Sequence, residues 1–197
     1  MSADDTTIKV YDAKYSDYAE LTSGEQPDPS LERFVNMLPK GGRVLDLGCG
    51  PGKTTAFLQK AGFSVDAVDA SVGMVQVAAE KYGVTVRCAT FDDITGLQEY
   101  DGIWANFSLL HAPKSRLPGH LMALHTALKP GGVFHIGMKL GKGEHRDKLD
   151  RFYAYYSQTE LENLLGKAGF NSFHCTFGHD IGLDKTHSDW IIISAHA

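Results

Sequence analysis

Residues 43–55, RVLDLGCGPGKTT, constrain this chain more than any other stretch. Val44, Leu45 and Leu47 are apolar and strand-prone, and they run straight into Gly48, Gly50 and Gly52. That is the pattern of a buried strand ending in a tight turn that opens a helix. Without Cβ atoms, such glycines let the backbone bend through positive φ and let a ligand approach the main chain closely. Lys53, Thr54, Thr55, Ala56, Phe57 and Leu58 then read as the first turns of the helix, whose N-terminal amides face the ligand. Spacing narrows the choice of ligand. A dinucleotide turn, Gly-x-Gly-x-x-Gly, needs its third glycine where this chain has Lys53, so NAD is disfavoured. Gly52-Lys53-Thr54 matches the end of a phosphate-binding loop, but that loop's opening glycine would have to stand at Leu47.

At 197 residues and 43% hydrophobic, the chain suits one well-buried domain, expected over 31–197 behind an N-terminal arm of 1–30. A formal charge of −5 gives no broad basic field, so extended nucleic-acid binding is disfavoured. Cys49, Cys88 and Cys175 are too few and scattered for a disulfide framework or a zinc site, and the histidines form no His-x-x-x-His pair; no metal is expected. With no leader-like start and no apolar run of membrane length, the reading is a soluble cytoplasmic protein, monomer or homodimer.

The arm carries Tyr11, Tyr15 and Tyr18 and closes on Gly24, Pro27 and Pro29; surface-packed tyrosines on a partly ordered terminus are one reading of it. Leu31, Phe34, Val35 and Leu38 then recur at helical spacing. Residues 63–69 read as a second strand with Asp69 at its carboxyl end. Open parallel sheets bind ligands at that end, and an acid there can accept hydrogen bonds from both hydroxyls of a ribose. The alternative is a helix cap, for which Ser71 is better placed. Met74 has two readings, ligand contact or core. Further strands are expected over 84–88, 102–106 and 133–138, with a helix through Leu117, Leu121, Leu124 and Leu128 and a turn at 129–132. The runs 171–177 and 188–195 suggest a closing antiparallel pair. The fold class is therefore α/β: a Rossmann-like, doubly wound, seven-stranded sheet, mostly parallel, ending in an antiparallel hairpin.

The run Asp46-Leu-Gly-Cys-Gly-Pro-Gly52, with Asp69 and the Leu-Lys-Pro-Gly-Gly element at 128–132, resembles the class I S-adenosylmethionine-dependent methyltransferases. The combination YDGIWANFSLLH at 100–111 followed by RFYAYYS at 151–157 is similar to small bacterial members often labelled tellurite-resistance or generic methyltransferase-domain proteins. This resemblance implies methyl transfer from S-adenosylmethionine to a small-molecule acceptor, leaving S-adenosylhomocysteine. It implies cofactor contacts at Asp46, Gly48, Cys49, Gly50, Gly52, Asp69, Ala70, Met74 and Asn106, with Phe91 against the adenine ring and Asp92 on its amino group. Asp93 rivals Asp92, and a simple capped turn is the other reading. It also implies that the Tyr-containing arm folds over the cofactor as a lid, bringing Tyr11 and Tyr18 to the substrate.

In the same resemblance the loop after the fourth strand crosses between cofactor and acceptor, so His111 is either a general base or a hydrogen-bonding wall. The charged stretch 139–151 leaves the ligand-binding edge of the sheet and precedes Phe152, Tyr153, Tyr155 and Tyr156. It reads either as a solvated loop or as an acceptor pocket using Arg146, Arg151 and Tyr153 for a small anionic or polar molecule. The segment after the fifth strand also resembles wobble-uridine enzymes, which keeps a tRNA-base methyltransferase as an alternative, and a non-catalytic S-adenosylmethionine-binding protein as another. The net charge and the lack of an RNA-binding domain weigh against the former.

Overall fold

In the computed structural model, which describes residues 4–21 and 28–197, the glycine turn sits where the strand order of a single sheet reverses. The elements are α1 (Asp5–Leu21), α2 (Pro29–Met37), β1 (Arg43–Leu47), α3 (Lys53–Lys60), β2 (Ser64–Asp69), α4 (Val72–Tyr82), β3 (Val86–Cys88), β4 (Tyr100–Asn106), α5 (Leu117–Ala127), β5 (Leu128–Lys139), β6 (Glu144–Arg146), β7 (Phe152–Ala154), α6 (Gln158–Ala168), β8 (Asn171–Ile181) and β9 (His187–His196). The sheet runs β3-β2-β1-β4-β5-β9-β8. β1 to β5 are mutually parallel, β9 is antiparallel between β5 and β8, and β6 pairs with β7 as a separate hairpin. The expected seven-stranded sheet with its reversed closing hairpin is the one found.

Burial explains the layers. β1 and β4 are enclosed along almost their whole length, as strands covered on both faces must be. One face holds Leu45, Ile103, Phe134 and Ile136 against Leu121 and Leu124 of α5 and Leu161 and Leu165 of α6. The other holds Val44 and Trp104 against Phe34 and Leu38 of α2 and Leu58 of α3. Ser157 and Glu160 close a reciprocal capping box on α6, fixing where the chain re-enters helix after β7.

Four local expectations are corrected. The arm is a helix, kinked at Lys14, and it packs through Ala19 and its tyrosines on Met74 and Val77 of α4. Pro29 does not close the arm; it is the first residue of α2, behind the Asp28 cap, while Gly24 and Pro27 lie outside the described residues. Residues 129–132 do not form a turn ahead of β5 but belong to the strand itself, with Gly131 N–H donating to the Ala197 carbonyl. The third strand starts at Val86 because Gly83, at φ 67°, still terminates α4.

Candidate active site

The turn is built by the backbone of β2. Gly48 and Cys49 both donate to the Val68 carbonyl, at 2.8 and 3.0 Å, and Gly48, Gly50 and Gly52 take φ of 71°, 54° and 84°. A Cβ on Gly48 would lie 2.3 Å from that of Ser108, so the turn lies directly against the loop after β4. Gly48→Ala therefore combines a left-handed backbone with overpacking, and is expected to cost about 2–4 kcal/mol of stability, read by denaturant unfolding. Gly52 serves differently. Its Cβ would strike Val84 and Ala78, so it lets the start of α3 pack against α4.

Asp69 ends β2 facing this turn. Its carboxylate accepts from Gly50 N–H at 2.8 Å and Ser71 N–H at 2.9 Å. Ser71 is the cap of α4, accepting from Met74 N–H, so the capping alternative for Asp69 falls away. Burial raises the Asp69 pKa to about 6, with the Ser71 and Gly50 amides pulling it back down. Asp46 is buried under the turn, accepts from Thr55 Oγ1 at 2.6 Å, and is raised by burial to about 7.

Around the turn a cavity has two lobes that share Gly48, Gly50, Tyr18 and Asn106. Asp69, Ala70, Met74, Phe91, Tyr11 and His111 line the first lobe; Asp46 and Cys49 line the second. Asn106 is held by His135, whose Nε2 stands 3.1 Å from Asn106 Oδ1; burial lowers the pKa of this histidine to about 3, so the ring is neutral. Phe107, at φ 55°, carries the chain across the cavity floor. Ser108 is 7% exposed, lines the first lobe, and its Oγ has no protein partner.

The arm closes the first lobe from above. Asp12 accepts from Ser71 Oγ at 2.6 Å and Gly73 N–H at 3.0 Å, anchoring α1 at the start of α4. Phe152 N–H donates to Thr7 Oγ1 at 2.8 Å, fastening the other end to β7. Between these points the Tyr11 hydroxyl lies 2.9 Å from His111 Nε2. His111 Nδ1 lies 2.7 Å from the Phe152 carbonyl, which can only accept, so the ring proton is on Nδ1. Nε2 is thus bare and Tyr11 donates to it. Desolvation lowers the His111 pKa to about 4, keeping the ring neutral.

Five sequence candidates lie elsewhere. Asp92 does not line the cavity; it pairs with Arg116 at 2.8 Å, and Asp93 caps its own turn through Thr90. Arg146 grips Asp4 with both terminal nitrogens, at 2.9 and 2.7 Å. Arg151, 2% exposed, is bound to Asp147 through Nε and Nη2, at 2.9 and 2.6 Å, and reaches Tyr11 Oη with Nη1 at 3.1 Å. Tyr153 backs His111, ring centroids 4.6 Å apart, instead of facing the cavity. Gly52, as above, serves packing. Residues the sequence did not single out are Asp4, Thr7 and Ile8, which line the lobe from α1, together with Asp12 and His135. Among the described residues no cluster of His, Cys, Asp and Glu suits a metal, and no helix is long and apolar enough to cross a membrane.

A methyltransferase-domain family profile matches residues 44–132. Hemagglutinin 1 of Eikenella corrodens is 26% identical over 180 residues, 83% of this chain and 60% of its own length. The 2-heptyl-1-hydroxyquinolin-4(1H)-one methyltransferase of Mycobacteroides abscessus is 30% identical over 151 residues, 72% of this chain and 65% of its own. The chain thus spans less than two thirds of these curated relatives. The crystal structure of Burkholderia thailandensis 1,6-didemethyltoxoflavin-N1-methyltransferase, with 1,6-didemethyltoxoflavin and S-adenosylhomocysteine bound, superposes with a TM-score of 0.73 at 22% identity, covering 97% of this chain and 87% of that one. Profile, relatives and sheet order agree with the motif at 46–52: residues 44–132 match a methyltransferase domain, and the chain has the fold of S-adenosylmethionine-dependent methyltransferases.

Proposed function

We propose that this protein is a methyltransferase that uses S-adenosylmethionine and acts on a small-molecule acceptor. The observation that carries the reading is the placement of the Asp69 carboxylate beside the glycine turn, at the carboxyl edge where the strand order reverses. The first lobe also fits an adenosine. Phe91 and Met74 are apolar walls suited to a purine, the free lone pairs of Asp69 suit ribose hydroxyls, and the unpartnered Ser108 Oγ suits a polar ligand atom. The second lobe, with Asp46 and Asn106 near its neck, has room for the amino-acid end. Asp92, turned to Arg116, is left out of this assignment.

When bound, the cofactor supplies a methyl group made electrophilic by its sulfonium sulfur. The chain's part is to align an acceptor, exclude water and take up a proton. α1 excludes water by covering the first lobe. For an acceptor with a hydroxyl or ring N–H beside Tyr11, the Tyr11 oxygen takes the acceptor's proton as its own passes to His111 Nε2. Arg151, on the same oxygen, steadies negative charge there. The names of the Mycobacteroides and Burkholderia proteins both point to small heterocyclic acceptors, which supports the substrate class.

Calorimetric titration with S-adenosylmethionine, S-adenosylhomocysteine and NAD tests the cofactor. Micromolar binding of the first two and none of NAD is expected. Tighter binding of NAD, or no binding of either sulfur ligand, would refute the assignment.

A further inference from the structure

We propose that the acceptor is an electrically neutral ring compound with an ionisable hydroxyl or ring N–H, and that carboxylates and phosphate esters are excluded. This rests on the methyltransferase reading and narrows it.

The inference comes from the charges beside the first lobe. An anionic acceptor needs a cation or an array of N–H donors that is not already committed. Arg146 is committed: its two terminal nitrogens hold Asp4, Nη1 also donates to the Asp150 carbonyl at 2.6 Å, and Nε faces the Asp150 carboxylate at 3.5 Å. Arg151 and Asp147 form a buried pair, their side chains 2% and 4% exposed. Parting such a pair would strand a buried charge. Lys139 has no ion pair among the described residues, but it does not line the lobe; its ammonium stands 4.2 Å over the Tyr153 ring. The charged side chain that lines the lobe from the arm is Asp4, an acid whose carboxylate is paired with Arg146, so the arm offers an anion no uncommitted cation there.

The remaining surface fits a flat, mostly apolar body. Ile8, Tyr11 and Phe107 face the lobe beside the His111 ring, which is neutral. Thr7 is satisfied, donating to Asp4 and accepting from Phe152 N–H. The groups that can meet an acceptor's polar atom are the unpartnered Ser108 Oγ and the Tyr11 oxygen, which donates to His111 and accepts from Arg151. In the transfer the bond from acceptor oxygen or nitrogen to the methyl carbon forms as the carbon–sulfur bond breaks, with its electron pair staying on sulfur. The acceptor's proton goes to Tyr11, and the Tyr11 proton to His111 Nε2. Charge on the acceptor is thus needed only during transfer, and the group that loses the proton must do so readily.

Binding, read without turnover, tests this. Protein saturated with S-adenosylhomocysteine is titrated calorimetrically with three probes of similar shape: 2-naphthol, 2-naphthoate and 2-naphthyl phosphate. The expected result is 2-naphthol tighter than either anion by roughly tenfold or more. In Asp4→Asn, which removes the lining carboxylate and leaves Arg146 held by Asp150 alone, 2-naphthoate should tighten and the gap should shrink by about fivefold. With S-adenosylhomocysteine bound, an anion binding as tightly as 2-naphthol, no measurable 2-naphthol binding, or an unchanged gap in Asp4→Asn would each overturn the inference alone. Failure of S-adenosylhomocysteine to bind would overturn the cofactor assignment, and this inference with it.

Discussion

Asp69→Ala is expected to weaken binding of S-adenosylmethionine and S-adenosylhomocysteine by about a hundredfold or more, measured by calorimetry. Hydrogen bonds to a charged group are each worth roughly 1.5–3 kcal/mol, and a ribose offers this carboxylate two, so a loss of about 3 kcal/mol is a conservative sum. The substitution also removes the acceptor of the Gly50 and Ser71 amides, which hold the turn against the start of α4. Asp69→Asn is expected to lose about tenfold or more, because its single carbonyl oxygen can accept from only one of the Gly50 and Ser71 amides while its NH2 faces the other. The pH dependence has a definite sign. With the pKa raised to about 6, the carboxylate is ionised at pH 8 and largely protonated at pH 5, where it accepts less well, so cofactor binding should weaken as pH falls through 6. Affinity of Asp69→Ala within threefold of the wild type, with a native circular dichroism spectrum, would mean that the ribose is held elsewhere.

What the sequence discloses about this protein is what local backbone chemistry dictates. The turn at 48–52 is legible because three residues need positive φ, and only glycine adopts it cheaply. Ser71 is legible as a cap because its role is satisfied three residues away, by Met74 N–H. The sheet follows from strand-length apolar runs alternating with helical ones, and the closing hairpin from two adjacent runs with a turn between them.

The acceptor side is opaque for the opposite reason, since its contacts join distant residues. Asp4 meets Arg146, Thr7 meets Phe152 and Asp12 meets Ser71, so nothing within the arm's own sequence marks it as a helix that docks. The arginines were visible as charge, but charge without its partner misleads. Arg151 lies four residues from Asp147 in plain view, and only burial of both turns a mixed-charge run into a structural ion pair. Asp92 shows the same: its partner Arg116, just ahead of α5, is 24 residues away in sequence and reaches its carboxylate only in the fold.

His111→Ala should lower kcat toward a hydroxyl or ring N–H acceptor by about a hundredfold or more, the scale of a lost proton acceptor, while S-adenosylhomocysteine affinity stays within threefold. His111→Gln distinguishes proton uptake from positioning. A glutamine oxygen can accept the Tyr11 hydroxyl and keep α1 seated, yet it cannot take a proton at neutral pH, so turnover should stay low in a properly closed lobe. The wild-type pH profile, taken at saturating S-adenosylmethionine, adds a second readout. An exposed imidazole would lose its lone pair near pH 6.5, but desolvation beneath the arm, with Arg151 and Lys139 nearby, lowers this pKa to about 4. The base is therefore neutral throughout the neutral range, and kcat should be level from about pH 8 to 5 and fall only as pH drops toward 4. Tyr11→Phe leaves His111 without its donor at Nε2, and its expected outcome is a loss of kcat comparable to that of His111→Ala. A fall centred on pH 6.5 would place His111 in water and remove α1 from the closed site; full activity in Tyr11→Phe would remove the relay and leave His111 to act on the acceptor directly.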